Sequence, residues 1–183
     1  YPIFTIGPYL AGAKIVKMPL LKENNYLVDF DSIDEKTAKM AKLMVVSYPN
    51  NPTAASAPRD FYVKLVAFAK KYNIMVLHDN AYSELVFDGS EGGSFLSIPG
   101  CRIAFAVGNK DIINQLKILK SHIDYGMFIP FQKAAIAALN GPQDYVGFVK
   151  ETYRKRRDLL VEGLSKIGWH IDNTGGSMFV WAA

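Results

Sequence analysis

A single cysteine, Cys101, occurs in the 183 residues. It can form no intrachain disulfide, and a reducing compartment, the cytoplasm, fits it best. Histidine is nearly as scarce: His78, His122 and His170 are isolated, and with one cysteine no metal-ligand spacing appears. No apolar run approaches the ~20 residues of a membrane-spanning helix. Gly89, Gly92 and Gly93 do not form a nucleotide-binding fingerprint. Charge of one sign is lacking too, since 21 basic residues face 17 acidic ones, for a net charge of +4. The one basic run, Arg154-Lys155-Arg156-Arg157, is followed by Asp158 on a helical pattern. It reads as a solvated or paired face and not as a nucleic-acid patch. No signal peptide is visible, and the opening Tyr1-Pro2, without methionine, points to an upstream segment outside this sequence.

What is present is apolar substance. Half of the residues are hydrophobic and 13% are aromatic, enough for a large core and against disorder. The length suits one domain, or one domain with part of a second. Leu43 to Ser47 and Ile74 to Leu77 are continuous apolar strands of the type buried on both faces by crossover helices. Between them a helix starts near Ser56 or Ala57-Pro58 and carries Phe61, Leu65, Phe68 and Tyr72 as a stripe. Strand, helix and strand make a parallel βαβ unit. Further strands are expected at Lys14 to Met18, Arg102 to Val107, Trp169 to Ile171 and Met178 to Trp181. Helices are expected from Asp31-Ser32 to Met40, from Asn109 or Lys110 to Lys120, from Phe128 to Leu139 and from Gln143 to Ile167.

The chemistry gathers in residues 51–82. Each buried strand ends in a useful group: Asn51 after the first, Asp79 and then Tyr82 after the second. In a parallel sheet these groups meet at the carboxyl edge, where open α/β sheets bind ligands. Alone, each has a plain structural reading. Asp79 suits a cap or turn, Asn51 an Asx turn before Pro52, and Tyr82 half-buried packing. The functional reading of Asp79 is a fixed anion beside a heterocyclic nitrogen, which keeps that nitrogen protonated and makes the ring an electron sink. His78 reads as a satisfied core histidine.

In this order the motifs resemble a known family, the fold-type I, pyridoxal-phosphate-dependent aminotransferases of class I/II, and within it the LL-diaminopimelate aminotransferase group. The matching stretches are Tyr1 to Gly12, YPNNPT at Tyr48 to Thr53, HDNAYSELVFDG at His78 to Gly89, RIAFAVGN at Arg102 to Asn109, and ALNGPQDYV at Ala138 to Val146. The resemblance implies a three-layer α/β/α sandwich with a mostly parallel sheet. Residues 1–141 would form part of the cofactor-binding large domain, and residues 142–183 the interdomain helix and the start of a small α+β domain. It implies pyridoxal 5'-phosphate as cofactor, with Asp79 at the pyridinium nitrogen and Asn51 and Tyr82 donating to the phenolic oxygen. Arg102 would hold the phosphate, a role suited to a permanently charged donor fork. It further implies a cytoplasmic homodimer in amino-acid biosynthesis, moving an amino group between an amino acid (LL-diaminopimelate, aspartate or alanine) and a 2-oxo acid. Neither nucleic acid nor membrane is an expected partner. Tyr125 to Phe128 also matches the family, where it lies near the subunit interface.

The departures are as informative. The family carries S-x-x-K, whose Schiff-base lysine shuttles the proton, between the D-x-x-Y and arginine strands. Here Gly100 runs directly into Cys101-Arg102, and no lysine stands in that setting. The upstream glycine-rich helix start and the C-terminal carboxylate-binding arginine are also missing, and the motif glycine after Thr53 is Ala54. The chain is therefore read as an incomplete member of the family. A truncated, inactive homologue is disfavoured, because excising a core strand should prevent stable folding. Two other readings stay open: another pyridoxal-phosphate reaction, such as that of a β-lyase or decarboxylase, and a non-catalytic regulatory domain.

Overall fold

The computed structural model describes residues 2–87, 103–171 and 174–182. Two compact units emerge, Tyr1–Ser94 with Val149–Ala183, and Phe95–Phe148.

In the first unit β1 (Leu43–Ser47) and β2 (Met75–Asp79) pair in parallel, in register from Leu43 opposite Met75 to Ser47 opposite Asp79. The connection between them is the helix α3 (Arg59–Tyr72), which starts after the extended Pro58 and stops at Asn73 in the left-handed conformation, φ 54°. Its buried residues Phe61, Leu65 and Ala69 recur every four positions, one stripe of an amphipathic helix. That stripe joins Val28, Met44, Val46, Tyr48 and Ile74 in a single core, with Phe30 packed 5.3 Å from the Phe61 ring. Burying each leucine or phenylalanine of this kind contributes about 1.5–3 kcal/mol. The expected βαβ unit is therefore present, and α3 covers one face of the strand pair. The other face carries Leu43, Met75 and Leu77, between 42% and 51% exposed.

The first unit also contains α1 (Ile3–Leu10) and α2 (Glu35–Met40), the latter capped by the Asp34 carboxylate, which accepts the Thr37 N–H at 2.8 Å. The second unit contains α4 (Lys110–Ile123), capped by Asn109, and α5 (Ile129–Asn140). The long helix α6 covers Asp144–Lys166. Among the described residues no helix is long and apolar enough to cross a membrane.

Among the described residues, the expected strands at 14–18, 169–171 and 178–181 join no ladder; near the last of them Gly176 makes an isolated antiparallel bridge, to Val86. Of the expected strand Arg102 to Val107, Arg102 lies outside the described residues, Ile103 makes a bridge and residues 104–107 join no ladder. β-branched and aromatic residues favour a strand only where a neighbour accepts its backbone groups, and the described residues offer none there. The basic run is a paired face. Arg154 pairs with Glu151 and Asp158 at 2.7 and 3.0 Å, and Arg157 with Asp158 at 2.7 Å. Arg157 is in addition buried: it lies 4.7 Å from the Phe87 ring centroid and donates to the Thr174 carbonyl at 2.8 Å.

Candidate functional site

The site grows out of the ends of β1 and β2. Past Ser47 the chain turns through Tyr48-Pro49-Asn50-Asn51-Pro52-Thr53, with both X–Pro bonds cis. Asn50 holds this turn together. Its backbone N–H donates to the Ala55 carbonyl at 2.8 Å, and its own carbonyl accepts the Ala54 N–H at 2.9 Å. Its side chain donates to the Ser47 carbonyl at 3.1 Å and accepts the Thr53 hydroxyl at 2.9 Å. Nothing in the doublet Asn50-Asn51 says which asparagine serves the loop, and sequence reasoning missed this role of Asn50.

With Asn50 committed to the loop, Asn51 is left to project from it. Its Nδ2 lies 3.5 Å from the Tyr82 hydroxyl, at the outer limit of a hydrogen bond. Tyr82 sits in the turn after β2, its ring edge-on to Phe179 with centroids 5.4 Å apart. Asp79, the last residue of β2, is half-buried, and its side chain has no hydrogen-bond or ion-pair partner among the described residues. Asn51, Asp79 and Tyr82 thus stand at the carboxyl end of the same strand pair. Arg102 lies outside the described residues, as do Tyr1 and Cys101.

One residue before Asp79, the His78 Nε2 lies 3.1 Å from the Tyr48 carbonyl oxygen and 3.5 Å from the Tyr62 hydroxyl. Burial holds its pKa below the ordinary value, against the upward pull of the Tyr48 carbonyl and of Asp79. Tyr48, 1% exposed, accepts the Val28 N–H at 3.1 Å and donates to the Tyr26 carbonyl at 3.2 Å. Burial pushes its phenol up to about 12.

Chemically, a half-buried carboxylate without a partner attracts a cation, and an adjacent amide and hydroxyl can both donate to an anionic oxygen. His122 and His170 are exposed and stand apart from this end of the sheet in sequence. In the second unit an apolar hollow of about 640 Å³, lined among others by Ile103, Phe105, Leu116 and Ile136, contains none of the candidate residues.

Comparison with known proteins places the whole chain. The family model "Aminotransferase class I and II" matches residues 1–183. An LL-diaminopimelate aminotransferase of Halothermothrix orenii is 42% identical, with 100% of this chain and 52% of that protein covered. The glutamate-pyruvate aminotransferase AlaC of Escherichia coli is 37% identical, covering 100% and 49%. Among solved structures, substrate-bound BacF of Bacillus subtilis superposes with a TM-score of 0.94 at 37% identity, covering 100% of this chain and 51% of that one. The chain spans about half the length of the curated relatives it matches. Alignment with the H. orenii protein runs over 201 residues and takes in all 183 here, so that relative has internal residues this chain lacks.

Proposed function

The chain belongs to the class I and II aminotransferases, and from that premise we propose that the protein it represents is a pyridoxal-phosphate-dependent aminotransferase. The observation that carries this reading is that Asp79 closes β2 opposite Ser47 while Asn51 and Tyr82 meet at 3.5 Å in the loops that follow the two strands. Pyridoxal phosphate, held by these residues, would supply an electron-withdrawing cationic ring for chemistry at the substrate Cα. Asp79 meets the ring nitrogen and keeps its proton in place, because a carboxylate within contact of a cation favours the charged form. Asn51 and Tyr82 donate to the phenolic oxygen, and Arg102 binds the phosphate. The residues present fit the ring end of the cofactor: a carboxylate without a partner among the described residues for the nitrogen, and two donors for the oxygen.

Residues 1–141 are assigned to the large domain and residues 142–183 to the interdomain helix and small domain. The Schiff-base lysine belongs, in this reading, to the residues that the relatives have and this chain lacks. LL-diaminopimelate or a similar amino acid is the substrate, on the names of the relatives, and the working protein is a cytoplasmic homodimer in amino-acid biosynthesis. Amino transfer from LL-diaminopimelate, aspartate or alanine to a 2-oxo acid, assayed with the full-length protein, tests the reading. Release of ammonia or pyruvate without an acceptor would assign a lyase, and failure to bind pyridoxal phosphate would remove the cofactor.

A further inference from the structure

The contact between His78 and Tyr48 has no part in the chemistry just described, yet it joins the two pieces of chain that carry it. We propose that His78 is a positioning residue: by donating its Nε2–H to the Tyr48 carbonyl, it fixes the loop bearing Asn51 against the strand bearing Asp79. This rests on the cofactor reading above, since its consequence is the spacing between the group at the ring nitrogen and the group at the phenolic oxygen.

Three observations carry it. An N···O separation of 3.1 Å to a carbonyl oxygen requires a hydrogen on the nitrogen, because otherwise two lone pairs would face each other. The Tyr62 hydroxyl, 3.5 Å from the same nitrogen, can then only accept from it, and the Tyr62 ring, 5.3 Å away and tilted by 55°, confines the imidazole. Second, the β1/β2 ladder ends at Ser47 opposite Asp79. Past that pair the His78 ring contacts the Tyr48 carbonyl and so links the loop to β2. Third, the loop has little slack. Tyr48 is anchored through its hydroxyl to Val28 and Tyr26, and Asn50 is bonded to Ser47, Thr53, Ala54 and Ala55. Asn51 is therefore set by where the Tyr48 carbonyl is held.

The test compares His78→Gln, which keeps an N–H at the same reach, with His78→Phe, which keeps a ring and loses the donor. Amide exchange at Asn50 and Ala54 is measured in the full-length protein without cofactor, with α3 amides as the internal reference. Affinity for pyridoxamine 5'-phosphate, which needs no lysine, is measured alongside. In His78→Phe, exchange in the loop should rise about tenfold relative to α3 and affinity should fall about tenfold, while His78→Gln stays within about threefold on both. If His78→Phe does not fold, His78→Asn, too short to reach, takes its place. Loop exchange unchanged in the donor-free variant, or equal loosening in His78→Gln, overturns the proposal. If the unsubstituted protein fails to bind pyridoxamine phosphate, the cofactor reading falls, while the exchange contrast still decides whether His78 holds the loop.

Discussion

The Asn51 amide nitrogen stands 3.5 Å from the Tyr82 hydroxyl, joining the two loops that follow β1 and β2 across 31 positions of sequence. The Tyr82 oxygen can accept from the Asn51 amide and still donate its own hydrogen, and the second amide hydrogen of Asn51 is also available, so both residues can donate to one anionic oxygen. Tyr82→Phe and Asn51→Ala should each weaken pyridoxal phosphate binding by about 1 kcal/mol and leave thermal stability nearly unchanged. The double variant should lose less than the sum, because neighbours in one network couple. Strict additivity in a cofactor titration would argue that they serve different atoms.

Ala54 occupies the left-handed region at φ 59° and is fully buried. It stands where the family motif has glycine, and the backbone supplies the reason. An L-residue pays about 1–2 kcal/mol there, against about 0.8 kcal/mol recovered by burying its methyl group. Ala54→Gly should therefore stabilise the fold by about 0.5–1 kcal/mol, read as a higher urea midpoint with an unchanged slope. A lower midpoint would mean that the methyl group packs better than its conformation costs.

Gly176 bridges Val86, and a Cβ built on it would come within 2.9 Å of the Leu85 carbonyl oxygen and 3.0 Å of the Ser56 hydroxyl. A backbone oxygen cannot swing aside as a flexible side-chain tip can. Gly176→Ala should cost about 1–3 kcal/mol in a denaturant titration, and Gly163→Ala, with open space at its Cβ, should not.

Tyr48 supplies a pH dependence. Its phenol is held at about 12 by burial, whereas the unfolded chain loses that proton near pH 10. A raised acid pKa means that the unfolded state releases its proton first. Stability is therefore complete below pH 10 and is lost as the pH rises towards 12, by about 2–3 kcal/mol in all. Tyr48→Phe should start lower, having lost the bonds to Val28 and Tyr26, and should lack this alkaline decline. Parallel alkaline declines in the two proteins would place the effect elsewhere.

The βαβ unit was legible because periodicity and composition agree there: two short apolar runs flank a helix whose stripe recurs at helical spacing. The candidate site followed from where those strands end, reinforced by the ordered motifs. What was hidden depends on neighbours. Asn50 and Asn51 are chemically identical until the turn commits one of them to the backbone. Arg157 looks like its basic neighbours until Phe87 and the Thr174 carbonyl give it somewhere to go. The runs at 14–18 and 178–181 have strand composition, but strand formation needs a partner edge, and local sequence carries no information about that.

The central claim concerns the carboxylate of Asp79, and a titration of the full-length protein with pyridoxal phosphate, followed by absorbance, tests it most directly. Removing the charge in Asp79→Asn should weaken binding by about tenfold or more and shift the bound cofactor's spectrum towards that of an unprotonated ring. Unchanged affinity together with an unchanged spectrum would show that no ring nitrogen meets this side chain.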